Sequence, residues 1–272
     1  MKYTMLVSDL DGTILDNHHQ LSEPNKQAVQ QVLDQGIKFV LCSGRSPVAL
    51  AHFLKQMKAT SDYIVGFNGC VIKDVATGQN LYEKKMDKAL IHELIEEISQ
   101  FDVTIGVYVA DDMIHAQRPA EIVGGVDDGG PVKITIHPEL KASVVADVYK
   151  IILMAPRPAL DEVYAHMKDK VVGKCGMVFT NTTLLEFLPL GGNKGEALKI
   201  LAQRLQIPLS QVVSCGDNYN DLELIETAGL GIAVANGVEP LKAVANRVTK
   251  NDNNNHAFAE IVTEILTENG VI

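Results

Sequence analysis

A short apolar run, Met5-Leu6-Val7, ends in two carboxylates two residues apart, Asp9-Leu10-Asp11, and then Gly12-Thr13. A strand that is apolar at consecutive positions is buried on both faces. The parallel sheets of open α/β domains are built of such strands, and they bind ligands at the strands' carboxyl ends. Two ionised carboxylates there repel each other and lose hydration, so they demand a cation, a shared proton or strong donors. Gly12 lets the backbone turn sharply straight after the pair. Asp-Gly is also a common turn dipeptide, so this stretch alone favours the reading of a capped turn closing a strand.

The pattern around it is that of an α/β chain. Residues 3–8 read as a strand. Ser22 is placed to cap a helix with Pro24 in its first turn, and Ala28, Val29, Val32 and Leu33 repeat at helical spacing before Gly36. A strand at 37–42, a helix at 48–57 and a strand at 63–67 follow, which implies right-handed crossovers and a parallel sheet. The character then changes. An amphipathic helix carrying Leu90, Ile91, Leu94, Ile95 and Ile98 leads into a strand at 104–109 and a Gly-rich, acidic loop at 124–130. A helix at 144–149, a strand at 151–154, a helix at 160–167 and strands at 176–180 and 184–187 complete this part. Two helices on one face of an antiparallel sheet account for it. Beyond Pro189 the first pattern resumes, with a helix at 194–205, a strand at 212–215, a helix at 220–227 and strands at 231–234 and 247–248. The expectation is a Rossmann-like α/β parallel-sheet core domain of residues 1–83 and 188–272, split by an inserted α+β domain of residues 84–187.

Further polar features stand where strands of the outer domain end. The strand at 37–42 runs into Ser43-Gly44-Arg45, whose hydroxyl and backbone N–H groups can cradle phosphate oxygens; capping of the next helix is the alternative. Gly191-Gly192-Asn193-Lys194-Gly195 opens a helix, where a lysine aided by the positive helix end can neutralise a phosphoryl group. The spacing is not that of a P-loop. The strand at 212–215 exits into Gly216-Asp217-Asn218-Tyr219-Asn220-Asp221, adding two carboxylates four residues apart. Acidic oxygens without His or Cys suit a hard cation, and Mg2+ binds through one or two carboxylates plus substrate phosphate and water. With Asp9 and Asp11 already in need of a cation, a metal outweighs a dry, Asp217-capped turn.

Composition narrows the partners. The 24 basic and 34 acidic residues give a formal charge of −10, which argues against nucleic acid and obliges any phosphorylated ligand to find a local cationic site. No apolar run has the length of a membrane helix and no signal-peptide core is present, so neither membrane nor export is expected and the location expected is cytoplasmic. The cysteines at 42, 70, 175 and 215 form no C-x-x-C pair, and Cys42 and Cys215, which end apolar runs, read as buried, reduced core thiols; His18 and His19 read as a solvated loop. Oligomeric state is not legible.

The ordered set Asp9-x-Asp11-Gly12-Thr13, Ser43-Gly44-Arg45, Lys194-Gly195 and Gly216-Asp217-x-x-Asn220-Asp221 resembles the haloacid dehalogenase-like superfamily, and within it the Cof-type phosphatases. The likeness extends to Asn68-Gly69 after the third strand and to the place and size of the insert, which matches the larger α+β cap of that group. The resemblance implies Asp9 as the nucleophile that forms an aspartyl-phosphate and Asp11 as general acid and then general base. It implies Mg2+ held by the Asp9 side chain, the Asp11 backbone carbonyl and Asp217, with Ser43, Gly44 and Lys194 on the phosphoryl oxygens. Asp221 would orient the metal shell or Lys194, and Arg45 and Asn220 would touch phosphate or substrate. The implied substrate is a small phosphorylated metabolite, a sugar phosphate first, chosen by the cap; the acidic loop at 121–131 leans away from a highly anionic one. A phosphotransferase or mutase, and a regulator merely phosphorylated on Asp9, are the alternatives. Asn193 stands where the group often has Ser or Thr, and Asn251–His256 replaces its usual acidic-Gly turn.

Overall fold

The computed structural model describes residues 1–59, 61–118 and 132–272, so the expected loops at 124–130 and 121–131 lie outside the described residues. The chain forms two compact units, Met1–Tyr82 with Asn193–Ile272, and Glu83–Gly192. Among the described residues no helix is long and apolar enough to cross a membrane.

The first segment supplies β1 (Met5–Ser8), α1 (Glu23–Asp34), β2 (Lys38–Cys42), α2 (Pro47–Gln56), β3 (Tyr63–Gly66), β4 (Val71–Asp74) and β5 (Asn80–Glu83). The inserted unit contains α3 (Lys88–Ile98), β6 (Thr104–Ala110), β7 (Met113–Ala116), β8 (Lys133–Ile136), α4 (Leu140–Ser143), β9 (Lys150–Met154), α5 (Arg157–Met167), β10 (Cys175–Asn181) and β11 (Leu184–Pro189). The last segment adds α6 (Lys194–Arg204), β12 (Val212–Gly216), α7 (Leu222–Thr227), β13 (Leu230–Ala233), α8 (Glu239–Val244), β14 (Arg247–Val248) and α9 (Ala257–Glu268).

In the outer unit an eight-stranded sheet runs β14-β13-β12-β1-β2-β3-β4-β5. It is parallel from β14 through β3, and β4 returns antiparallel on β3. Every residue of β1 is buried, and its side chains alternate between two apolar layers. Leu6 joins Val29, Val32, Phe39, Leu50, Phe258 and Ile261 on the side of α1, α2 and α9. Met5 and Val7 join Val40, Val65, Leu198, Leu201 and Leu224 on the side of α6 and α7. The order of the strands reverses between β1 and β12, which lie side by side although β2 flanks β1 on the other edge. Connections leaving β1 and β12 therefore diverge, and the crevice between them is where an open α/β sheet receives its ligand. The hairpin partner β4, the edge strand β5 and the closing helix α9 are not foreseen by the sequence reading.

The inserted unit carries a six-stranded sheet in the order β10-β11-β9-β6-β7-β8. It is antiparallel except for the parallel pair β7–β8. Ile91, Leu94 and Ile98 of α3 and Leu160, Val163 and Met167 of α5 share one apolar layer with Ile105, Val107, Ile151, Leu153, Leu185 and Phe187 of the sheet. The helix expected at 144–149 is absent. The helical turn lies earlier, at Leu140–Ser143, and the following backbone is extended, with Val148 and Met86 exchanging hydrogen bonds of 2.8 and 3.1 Å. Buried apolar residues four apart, Val144 and Val148, imitate a helical face here. Both are β-branched and lose side-chain freedom in a helix, so the bridge to Met86 prevails.

On the sheet face away from these helices Lys150 Nζ lies 2.6 Å from Glu186 Oε1 and 4.9 Å from the centroid of the Tyr108 ring, and only 3% and 4% of the two charged side chains are exposed. Removing one member of such a pair leaves the other charge in a dry setting with less to answer it. Glu186→Leu is expected to lower unfolding stability by about 3–5 kcal/mol, and the double variant Lys150→Met/Glu186→Leu to recover most of that loss. Urea melts of the two variants check this; equal losses would show that the stranded ammonium is not the cause.

Candidate active site

Asp9 follows β1 directly, and its N–H continues the sheet by donating to the Cys215 carbonyl at 2.9 Å. The chain then coils tightly on itself, because the N–H groups of Thr13, Ile14 and Leu15 all point at the Leu10 carbonyl, at 3.4, 3.0 and 3.0 Å. Leu10, Ile14 and Leu15 sink into the apolar layer, and this leaves Asp9 and Asp11 at the sheet's carboxyl edge. Gly12 turns at φ +72°, and a Cβ there would stand 2.4 Å from Asp217 Oδ2. Any side chain at residue 12 would therefore push Asp217 out of place. Thr13 Oγ1 donates to Asp217 Oδ1 at 3.3 Å.

Lys194 is the first residue of α6. Asn193 caps that helix by accepting the Glu196 N–H at 2.8 Å, the service Ser or Thr gives at such a position. The lysine is wholly buried, and its ammonium donates to Asp9 Oδ1 and Asp221 Oδ1, both at 2.6 Å. Asp221 Oδ2 accepts the backbone N–H groups of Asp217 and Asn218 at 3.0 and 3.1 Å, within a capping box formed by Asn218 and Asp221. Asp217 is thus not the cap of that turn. Asp221 has both oxygens engaged and serves to fix Lys194.

Burial opposes the charge on Lys194, but Asp221 and Asp9 outweigh it and hold the ammonium above its usual range. Burial acts the other way on the acids. It pushes the Asp9 carboxyl up to about 7, against the pull of Lys194 and with the push of Asp221 and Asp11. Burial, Asp9 and Asp221 together raise Asp217 well above a normal carboxylate.

Ser43 follows β2, and its Oγ accepts the Arg45 N–H at 3.3 Å. The cap of α2 is Ser46, which accepts the Ala49 N–H at 3.3 Å, so Ser43 and Gly44 are not helix caps. The Arg45 guanidinium, expected on phosphate or substrate, sits on Asp11: Nε donates to Oδ2 and Nη2 to Oδ1, each at 2.7 Å. His19 Nδ1 also lies 3.0 Å from Asp11 Oδ1. Burial would raise the Asp11 carboxyl, but the hydrogen bonds from Arg45 and His19 hold it well below the usual range. His18 and His19 are exposed, as a solvated loop requires, and His19 adds a contact with Asp11 that the sequence pattern does not show. It reaches Asp11 because Leu15 and Leu21 bridge and Asp16 Oδ1 accepts the His18 and Gln20 N–H groups at 2.8 and 2.9 Å.

Asn220 Nδ2 donates to Asn68 Oδ1 at 2.9 Å. The unusual turn after β14 supports the coil after Asp11 from below. Asn253 donates through Nδ2 to the Leu15 carbonyl and Asn17 Oδ1, both at 3.0 Å, and through its N–H to Asn236 Oδ1 at 2.9 Å. Asn236 in turn donates to the Gly12 carbonyl at 2.8 Å. Amide side chains make these contacts, while Asp252 caps the turn that carries Asn253 by accepting the Asn255 N–H at 2.9 Å.

Carboxylate oxygens of Asp9, Asp217 and Asp221 all lie within 4.8 Å of one another. The Asp11 carboxylate stands apart from them on Arg45. Among the described residues one ammonium, that of Lys194, bonds two of these three acids, and the donors are hard oxygens with no sulfur or imidazole. That is the donor set of Mg2+, and the unbalanced charge concentrated on Asp9 and Asp217 is what a divalent cation relieves. The residues present fit the metal.

Residues 6–262 match a family model described as haloacid dehalogenase-like hydrolase. The chain is similar to the HMP-PP phosphatase of Yersinia pseudotuberculosis, 26% identical over 241 residues, which cover 88% of this chain and 86% of the relative. Among solved structures it is similar to a haloacid dehalogenase-like hydrolase from Bacteroides thetaiotaomicron, 25% identical, with a TM-score of 0.87 over 97% of this chain and 100% of the other. A Thermotoga maritima protein, 25% identical, aligns with a TM-score of 0.83 over 96% and 97% of the two chains.

The raised carboxyls give a test of the metal site that needs no turnover. Asp9 and Asp217 hold protons more tightly folded than unfolded, so metal-free protein loses stability as pH rises from the unfolded carboxyl value through about 7. A cation that binds the ionised form restores what is lost. Saturating Mg2+ is expected to raise Tm by roughly 5–10 °C near pH 8 and by much less near pH 5.5. Asp217→Asn should remove the Mg2+ response and stabilise the metal-free protein at the higher pH; an undiminished response, followed by calorimetry, would place the metal elsewhere.

Proposed function

The chain belongs to the haloacid dehalogenase-like hydrolases, and from that premise we propose that it is a Mg2+-dependent phosphatase acting on a small phosphorylated metabolite, a sugar phosphate first, through an aspartyl-phosphate on Asp9. The observation that carries this reading is the buried bridge of Lys194 between Asp9 and Asp221. The lysine fixes Asp9 Oδ1. Among the described residues Oδ2 takes no hydrogen bond, and it is the oxygen able to attack.

In the first half-reaction Asp9 Oδ2 attacks phosphorus, the bond from phosphorus to the substrate oxygen breaks, and the departing oxygen takes a proton from Asp11. In the second, water attacks the aspartyl-phosphate and gives its proton to Asp11, releasing inorganic phosphate and restoring Asp9. The Ser43 hydroxyl, the Gly44 N–H and Lys194 receive phosphoryl oxygens, and Asn220 borders the same loops. Mg2+ on Asp9, Asp217 and the Asp11 carbonyl would neutralise phosphoryl charge. The resting grip of Arg45 and His19 keeps Asp11 ionised. That is the form a base needs; donating a proton first requires Asp11 to exchange these partners. Arg45, so released, is the cation available to the substrate.

The test is phosphate release, with and without Mg2+, from sugar phosphates, nucleotides, phosphorylated cofactors and HMP-PP. Asp9→Asn should abolish release and retain the fold. Lys194→Ala should lower kcat by about 10²–10³-fold, the usual cost of a lost transition-state charge donor. Appreciable turnover by Asp9→Asn would remove the nucleophile assignment. Isomerised sugar phosphate without net release would mark a mutase instead, and stable phosphorylation of Asp9 with neither product a regulator.

A further inference from the structure

Between β3 and β4 the backbone turns through three consecutive left-handed residues, Phe67, Asn68 and Gly69, at φ +52°, +54° and +94°. All three are buried. This conformation is unfavourable for a residue with a side chain, most of all for an aromatic one, and persists only where the surroundings over-determine it. Here they do. The Phe67 N–H donates to the Arg45 carbonyl at 2.9 Å, and the Asn68 N–H to the Ser43 carbonyl at 3.0 Å. A Cβ on Gly69 would stand 2.1 Å from the Asn193 carbonyl, so the turn lies against the start of α6 and the residue before Lys194. The Asn68 amide lies close beneath Gly44, where a Cβ would approach its Oδ1 and Nδ2 to 3.2 Å, and Oδ1 accepts Asn220 Nδ2 at 2.9 Å. One strained turn thus meets the loop after β2, the start of α6 and the turn after β12.

We infer that Asn68 is a positioning residue for phosphoryl binding: its left-handed backbone sets the Ser43–Arg45 loop, and its side-chain amide holds Asn220 in register with that loop. The inference rests on the phosphatase reading. Asn68 acts through Asn220 and Gly44 and takes no part in bond making. Asparagine suits the position because it tolerates the left-handed region better than most residues and still carries an acceptor.

Glycine accepts φ +54° without penalty, so Asn68→Gly removes the amide and spares the turn. The experiment compares wild type, Asn68→Gly, Asn220→Ala and the double variant, by kcat and KM on p-nitrophenyl phosphate with Mg2+ and by competitive inhibition with inorganic phosphate. Asn68→Gly is expected to melt cooperatively near the wild-type Tm and to weaken inorganic phosphate inhibition and kcat/KM about tenfold, on the scale of one lost hydrogen bond. The double variant should be no worse than Asn220→Ala alone, because coupled residues do not lose activity additively. Independent, multiplying losses, unchanged activity in Asn68→Gly, or loss of its cooperative melt would each overturn the inference while leaving the phosphatase reading intact. A wild type that releases no phosphate from any member of the substrate panel overturns both.

Discussion

The ammonium of Lys194, enclosed between Asp9 and Asp221, is the interaction around which the outer unit is arranged. A buried lysine is costly unless its charge is answered at close range. Here two carboxylates answer it from the ends of two neighbouring strands, while the lysine itself comes from a helix start. That requirement ties β1, β12 and α6 to one point. It also explains why Asp221 is built into a capping box: a carboxylate held by the ammonium and two backbone N–H groups cannot drift, and so neither can the lysine. Asp217 is the remainder of the arrangement, a third acid drawn in with no ammonium of its own, and the charge it brings is what makes the place fit for a divalent cation.

Much of this is legible from residue order alone, because chemistry placed at the exits of apolar runs survives without knowledge of the fold. Asp9, Asp11, Ser43, Lys194, Asp217 and Asp221 each stand beside a strand end or helix start that hydrophobic pattern and turn residues reveal. What escapes depends on closure in three dimensions. His19 meets Asp11 only once Asp16 has closed its turn, and Asn253 supports the coil after Asp11 from more than two hundred residues away. Nor does sequence order show that Arg45 faces Asp11. The false helix at 144–149 has a different cause: burial of Val144 and Val148 imitates helical spacing, and the extended pairing with Met86 competes successfully because both residues are β-branched.

The charge balance gives the site a further character. The chain carries a formal charge of −10, yet Lys194 and Arg45 are each already paired with a carboxylate, of Asp9 and Asp11 respectively. On the function proposed above, an incoming phosphorylated molecule competes for partners already engaged. Binding of that kind depends on what the ligand offers in exchange as much as on its charge, and it disfavours anions that cannot also accommodate a displaced aspartate.

The central strand β1 has one neighbour, β2, soon after it in the chain, while the other, β12, pairs with it across about two hundred residues, Met5 opposite Val212. During synthesis at about 5–20 residues per second, β1 therefore waits roughly 10–40 seconds with an apolar edge uncovered. Through that interval the whole inserted unit is made and is able to fold, because its own sheet is contained within it. The nascent chain thus leaves that edge exposed until β12 has been made, and the insert accounts for about half of the wait, so a longer insert would lengthen the time a chaperone must guard it.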